Sequence, residues 1–97
     1  MTADQITKEV VATQAQFKEA EGQIKNISDF AGKLQEMEGQ EITEVFTFLL
    51  LAGVVLNSSD IHIESEEEGA RVRIRIDGVL HEVTSIPHSL YTSLLSR

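Results

Sequence analysis

Apolar residues recur along the chain in a helical rhythm first and a two-residue rhythm later. From Thr2 to about Met37 they follow a heptad. Ala3, Val10, Phe17, Ile24 and Ala31 hold one set of positions, and Ile6, Thr13, Ala20, Ile27 and Leu34 the set three residues later. Nine of these ten positions are apolar, so the stripe stays on one face of a helix and can form a seam. Gly22 and Gly32 interrupt the pattern, each costing about 1 kcal/mol against alanine in a helix interior. A bend or break near Gly22 or Asn26 would give a helical hairpin instead of one long rod. Three readings of this segment stay open: a helix laid on its own or a partner domain, a self-associating coiled coil, and a disordered linker.

Glu41 to Leu56 predicts a second helix, with Ile42, Val45, Phe46, Leu49, Leu50 and a Val54-Val55-Leu56 end. It is apolar nearly all round, which predicts burial on more than one side. The uncharged run from Phe48 to Leu56 is far shorter than the roughly 20 residues that span a bilayer, which excludes a transmembrane helix there. Asn57-Ser58-Ser59-Asp60 supplies the chemistry of a helix stop and turn.

Beyond Ser59 the period becomes two. Asp60-Ile61-His62-Ile63-Glu64 alternates, Ser65-Glu66-Glu67-Glu68-Gly69 reads as an acidic turn, and Ala70 to Ile76 alternates small or β-branched residues with Arg71, Arg73 and Arg75. Asp77-Gly78 is a type I′ turn signal, and Val79 to Ile86 is the return strand, ended by Pro87. That turn sets a register. Ile76 faces Val79, Ile74 faces His81 and Val72 faces Val83 on one side, while Arg75 faces Leu80, Arg73 faces Glu82 and Arg71 faces Thr84 on the other. His88 to Arg97 reads as a closing helix with Leu90, Tyr91, Leu94 and Leu95 as its apolar side. The order helix, strand, strand, strand, helix is an α+β arrangement, an antiparallel meander with one face covered by helix, preceded by the helical arm.

Charge divides the chain. All four lysines lie in residues 1–40, with seven acids, for a net −3; the four arginines lie in residues 41–97, with nine acids, for a net −5. The division falls near Glu38-Gly39-Gln40, giving an arm or linker over 1–40 and a domain over 41–97. A total of −8 argues against nucleic acid and anionic membrane as general partners. The chain has no cysteine, which rules out disulfides, thiolate metal sites and a cysteine nucleophile. Met1 to Lys8 lacks the basic start and apolar run of a secretory signal.

Three arginines about 6.5–7 Å apart along one strand are the main functional signal. Like charges in a row call for something negative over them. The internal answer is a solvated face on which Glu82 and Glu64 pair with Arg73, each pair contributing at most about 1 kcal/mol. The external answer is an oxyanion, because guanidinium forks grip phosphate in bidentate fashion. The other polar residues read as structural. His62 is a hydrogen-bonding partner, His81 falls on the apolar face, Asp60 and Asp77 begin or turn a strand, and Glu66-Glu67-Glu68 is a solvated turn. No metal-ligand spacing stronger than His62-x-Glu64 occurs.

Ser59-Asp60-Ile61-His62-Ile63-Glu64, then Arg71-Val72-Arg73-Ile74-Arg75-Ile76-Asp77-Gly78-Val79-Leu80, then Leu94-Leu95-Ser96-Arg97 resemble the type II secretion and type IV pilus assembly ATPase family. The likeness covers residues 41–97. It implies a PAS-like domain that precedes a RecA-like motor, with six subunits in a ring on the cytoplasmic side of an inner-membrane platform. It also implies that ATP with Mg sits between the two domains and that arginines of the first approach its phosphates. Carried onto this chain, Arg73 is the first candidate for phosphate contact and Arg75 the second. Many relatives carry arginine just after the proline; here it is His88, which makes a contact there dependent on pH. Relatives also mix charges into the stretch matched by Leu51–Leu56. Its apolar character here points to burial against residues 1–40 or another subunit.

No G-x-x-x-x-G-K-[ST] loop occurs in the chain, so it is expected to be inactive alone, with the motor following Arg97 in the parent protein. The missing strands of the relatives would leave an open sheet edge, a liability unless a partner or the first helix covers it. The leading expectation is a regulatory and oligomerisation domain that closes over ATP bound to the motor. The rival is a stand-alone protein-interaction module with a dimerising helical arm. Nucleic-acid binding by the arginine strand conflicts with the charge and lacks interleaved aromatics.

Overall fold

The computed structural model of the chain describes residues 13–96, which form four helices and one antiparallel sheet: α1 (Gln14–Gln23), α2 (Ile27–Gln35), α3 (Ile42–Val55), β1 (Asp60–Glu66), β2 (Gly69–Ile76), β3 (Val79–Ile86) and α4 (His88–Leu95). The sheet order is β1-β2-β3, with the arginine strand in the centre. The α+β arrangement read from the sequence is therefore present.

The amino-terminal heptad does not form one helix. Thr13 caps α1 with a reciprocal box: its hydroxyl accepts from Gln16 N (3.1 Å) while its own N–H donates to Gln16 Oε1 (2.8 Å). Each bond satisfies an orphan group of the first turn, so the helix begins at Gln14. It ends at Ile24, which is extended, and α2 starts afresh from Asn26, whose side chain accepts from Asp29 N at 2.8 Å. The break falls between the heptad's Ile24 and Ile27 and shifts its phase. Ala20, Ile24 and Leu34 are buried, yet the most buried residue of the segment is Phe30, which the heptad does not contain. The heptad positions Ala3, Ile6 and Val10 lie outside the described residues.

Helix α3 ends in a Schellman motif. Ser58 N donates to Gly53 O (2.9 Å) and Asn57 N to Val54 O (3.0 Å), with Asn57 in the left-handed region at φ 57°. Its faces meet α1, α2 and α4, and Val45, Thr47, Leu49 and Ala52 are buried. Thr47 satisfies its hydroxyl on Thr43 O at 2.8 Å, so no buried polar atom is stranded there. Leu51 and Leu56 pack partly against the core, whereas Val54 is 62% exposed. In α4, Leu90 is buried and Tyr91 and Leu94 are half-buried, but Leu95 stands in solvent. Five residues past Leu90, it points about 140° away round the helix, outside the stripe assigned to it.

The first hairpin is tighter than expected. Glu66 pairs with Gly69, so β1 runs to Glu66 and only Glu67-Glu68 turn. Gly69 takes φ 128°, and a Cβ there would run into the carbonyl oxygen of Ile86. The second hairpin has the expected I′ form, with Asp77 at φ 51° and Gly78 at φ 79°. Its register holds from Ile76↔Val79 to Arg73↔Glu82 and then slips. A bulge at that point pairs Val72 with Thr84 and Arg71 with Ser85, not with Val83 and Thr84. The cause is Ile86. Without the extra residue its side chain would face solvent; with it, Ile86 sits opposite Ala70, and both are buried.

One core joins all the elements. Ala20, Ile24, Phe30 and Leu34 from the amino-terminal helices share a buried cluster with Val45, Val72, Ile74, Ile86 and Leu90. Phe30 also meets Phe48 with ring centroids 5.7 Å apart. Helix α2 lies against β3, so an amino-terminal helix flanks that side of the sheet, and α4 crosses β1 and β2.

Two substitutions test this packing in urea unfolding of the chain. Phe30→Ala should cost about 3–5 kcal/mol if α2 is part of the core; a loss below about 1 kcal/mol would leave α2 a detachable arm. Gly69→Ala should cost at least about 2 kcal/mol, from positive φ and the collision with Ile86 together. An unchanged midpoint would contradict that close approach.

Candidate functional site

The outer face of the sheet is built by alternation. Once Ala70, Val72 and Ile74 turn inward, Arg71, Arg73 and Arg75 must turn outward along the central strand. Strand β1 sets Asp60 opposite Arg75, His62 opposite Arg73 and Glu64 opposite Arg71, while β3 sets Glu82 opposite Arg73. The arginines are therefore flanked by carboxylates on both sides.

Every guanidinium uses them. Arg71 Nε lies 2.8 Å from Glu66 Oε1, and its terminal nitrogen lies 3.2 Å from Glu82 Oε1. Arg73 Nε lies 3.0 Å from the same Glu82 oxygen, and its terminal nitrogen is 3.8 Å from Glu64 Oε1. Arg75 Nε lies 3.5 Å from Asp60 Oδ2, and its terminal nitrogen donates to Gly78 O at 3.3 Å, which ties this side chain to the turn. His62 Nε2 sits 2.7 Å from Asp60 Oδ1.

Arg73 is the most enclosed of the three, its side chain 29% exposed against 36% for Arg75 and 38% for Arg71. Arg73 and Arg71 converge on Glu82; Arg75 turns away toward Asp60. His88 joins none of them. Ala70 pairs with Ile86, which places His88 beyond the Gly69 end of β2, beside Tyr91 with ring centroids 6.3 Å apart. Ala70 to Arg75 spans about 17 Å of strand at about 3.3 Å per residue, so His88 and Arg75 do not converge on one phosphate group.

Two partners escaped the sequence reading. Glu66 reads as part of a solvated turn and Asp60 as a turn or strand start, yet both hold arginines. The signal for them is the run Asp60, His62, Glu64, Glu66, four polar residues at strict two-residue spacing on one face.

Three of the surface clefts among the described residues lie elsewhere, and none of these three is lined by an arginine. The first, about 420 Å³, runs between α1 and α3; the second, about 370 Å³, lies among α2, β3 and α4; the third, about 740 Å³, lies between α3 and β1. Among the described residues no group of three or more His, Asp or Glu is placed to hold a metal ion, and no helix is long and apolar enough to cross a membrane.

A central strand of alternating arginines, framed by helices and two tight hairpins, is the setting in which the comparisons with known proteins fall. Residues 35–97 match the family model described as Type II/IV secretion system protein, and the chain belongs to that family. It is 33% identical over 73 residues to the type IV pilus assembly ATPase PilB of Myxococcus xanthus, covering 75% of this chain and 12% of that protein. It is 32% identical over 78 residues to type II secretion system protein E of Xanthomonas campestris, covering 80% of this chain and 14% of that protein. Against a PilB of Acinetobacter baylyi the identity is 39% over 56 residues, 58% of this chain and 10% of that protein. The chain thus spans only a small part of the relatives' length. No solved structure matches it.

The pairing on the outer face has a measurable weight. With Glu82 57% exposed, its bond to Arg73 is of the surface kind. A double-mutant cycle of Arg73→Ala and Glu82→Ala should give a coupling below about 1 kcal/mol at low salt, shrinking further in about 1 M salt. A coupling above about 2 kcal/mol that resists salt would mean that these charges are locked in place.

Proposed function

We propose that this chain is the regulatory and oligomerisation domain of a type II secretion or type IV pilus assembly ATPase. In this reading the domain is PAS-like, acts on the cytoplasmic side of an inner-membrane platform within a homohexamer, and closes over ATP and Mg held by the motor domain. Arg73 contacts the phosphates, with Arg75 as the second contact and His88 at the position after the proline. One observation carries it: Arg73 stands at the middle of the central strand, enclosed by neighbours on both sides, with Nε oriented by Glu82 at 3.0 Å.

A guanidinium held in this way presents forked N–H donors in a fixed direction. The ion pairs that hold it are weak enough to exchange, since exposed pairs contribute at most about 1 kcal/mol. The nucleotide supplies the phosphoanhydride and the motor its cradle. What these residues contribute is positive charge that reaches the phosphates only when the two domains are together. Closure and opening then transmit hydrolysis as a rigid-body rotation. The distance from His88 to Arg75 implies that these two would serve different groups of the nucleotide or different stages of closure.

The rival reading, a stand-alone module with a dimerising arm, needs a continuous apolar seam. The interruption at Ile24–Asn26 and the burial of Ile24, Phe30 and Leu34 in the chain's own core weigh against it.

Arg73→Ala in the full-length ATPase should lower the ATP turnover rate by a larger factor than it lowers nucleotide affinity, measured as steady-state hydrolysis beside equilibrium binding. Unchanged turnover would remove the phosphate-contact role.

A further inference from the structure

We infer that Glu82 is an internal stand-in for a phosphate oxygen: it occupies the point on which Arg71 and Arg73 converge, and a phosphate group binds there by taking its place. The inference rests on the phosphate-contact reading above and refines it, because it makes Arg71, and not Arg75, the partner of Arg73.

A single oxygen atom carries the geometry. Glu82 Oε1 accepts from the terminal nitrogen of Arg71 at 3.2 Å and from Nε of Arg73 at 3.0 Å. Two guanidiniums aimed at one oxygen form the donor set that a phosphate oxygen uses. Arg75 is outside this set, held by Asp60 and the Gly78 carbonyl.

The surroundings allow exchange. Glu82 is 57% exposed, so its carboxylate can swing into water without leaving a buried charge behind. Arg71 would stay oriented by Glu66 at 2.8 Å, and Arg73 keeps Glu64 at 3.8 Å. The two donors therefore need not be reorganised when Glu82 departs.

The charge pattern gives the approach a direction. On the β1 side the arginines face Asp60, Glu64 and Glu66; on the β3 side Glu82 is the only acid in the strand. The bulge after Arg73↔Glu82 brings Ser85, an uncharged residue, opposite Arg71. Moving one side chain thus opens the β3 flank of two arginines to an anion, while the β1 flank stays acidic. Glu82 sets the threshold: it competes with weak anions and yields to a polyphosphate that carries more charge and more acceptor oxygens.

The test is a titration of this chain with inorganic tripolyphosphate at low ionic strength, following the arginine Nε–Hε resonances. Arg71 and Arg73 should shift together, with Arg75 moving less. Glu82→Gln should tighten binding about tenfold, whereas Glu67→Gln, which makes the same change in net charge on the exposed turn, should alter it by no more than about twofold. Equal tightening by both variants would reduce the effect to bulk charge and overturn the stand-in role. If wild type and Glu82→Gln bind equally well through Arg71 and Arg73, the stand-in role falls and the phosphate-contact reading stands. If neither binds at millimolar concentrations, the stand-in role falls, and the phosphate-contact reading is decided separately by Arg73→Ala in the full-length ATPase.

Discussion

Everything on the outer face depends on how β2 is held. The strand is bonded on both sides, and its inner residues Ala70, Val72 and Ile74 are almost completely excluded from solvent. A slip of one residue would exchange these with three arginines, burying charge in an apolar core and exposing the apolar set. Two tight turns prevent it. Gly69 lets the first hairpin close against Ile86, and Asp77-Gly78 supplies the left-handed pair that the second requires. The guanidinium row is thus a consequence of core packing, and the carboxylates flanking it follow from the registers that the turns impose.

The helices finish what the strands begin. Three strands alone have too little apolar area to be stable, and the inner face is closed by Phe30 and Leu34 from α2, Val45 and Leu49 from α3 and Leu90 from α4. Residues before the family-matched stretch, such as Ile24 and Phe30, are thereby tied to the same core as the arginine strand. A movement of the amino-terminal helices would be felt at β3, where Gln35 of α2 bonds Thr84 at 2.8 Å, two residues from Glu82.

Much of this was legible in the sequence because alternation and turn chemistry are local signals. The central strand, the I′ hairpin, the α3 helix and the pairing of Arg73 with Glu82 follow from residues close together in the chain. The rest depended on contacts that no local pattern carries. The bulge beside Glu82 exists to bring Ile86 opposite Ala70, a decision made by the core and not by β3 itself. The break near Asn26 is one that the sequence itself allows, but the buried place of Phe30 is not legible, because the Asn26 cap resets the helical phase and takes Phe30 off the heptad. Asp60 and Glu66 were hidden for the opposite reason. Their spacing is visible, but Glu66 reads as turn where the chain is strand, and Asp60 reads as a turn or strand start with no sign of the arginine it holds.

For function, the arrangement is a row of guanidiniums oriented by flanking carboxylates. Exposed ion pairs of this kind add little stability, which leaves them free to exchange for a stronger anion. In the proposed reading, an acidic chain still presents guanidiniums to a phosphate, because the carboxylates that hold Arg71, Arg73 and Arg75 are exposed and exchangeable. The most direct measurement is a structure of a full-length ATPase carrying this sequence with a non-hydrolysable ATP analogue bound. The account predicts the Arg73 guanidinium within hydrogen-bond distance of a β- or γ-phosphate oxygen. Arg73 still paired with Glu82 and Glu64, and the phosphates met only by other residues, would contradict it.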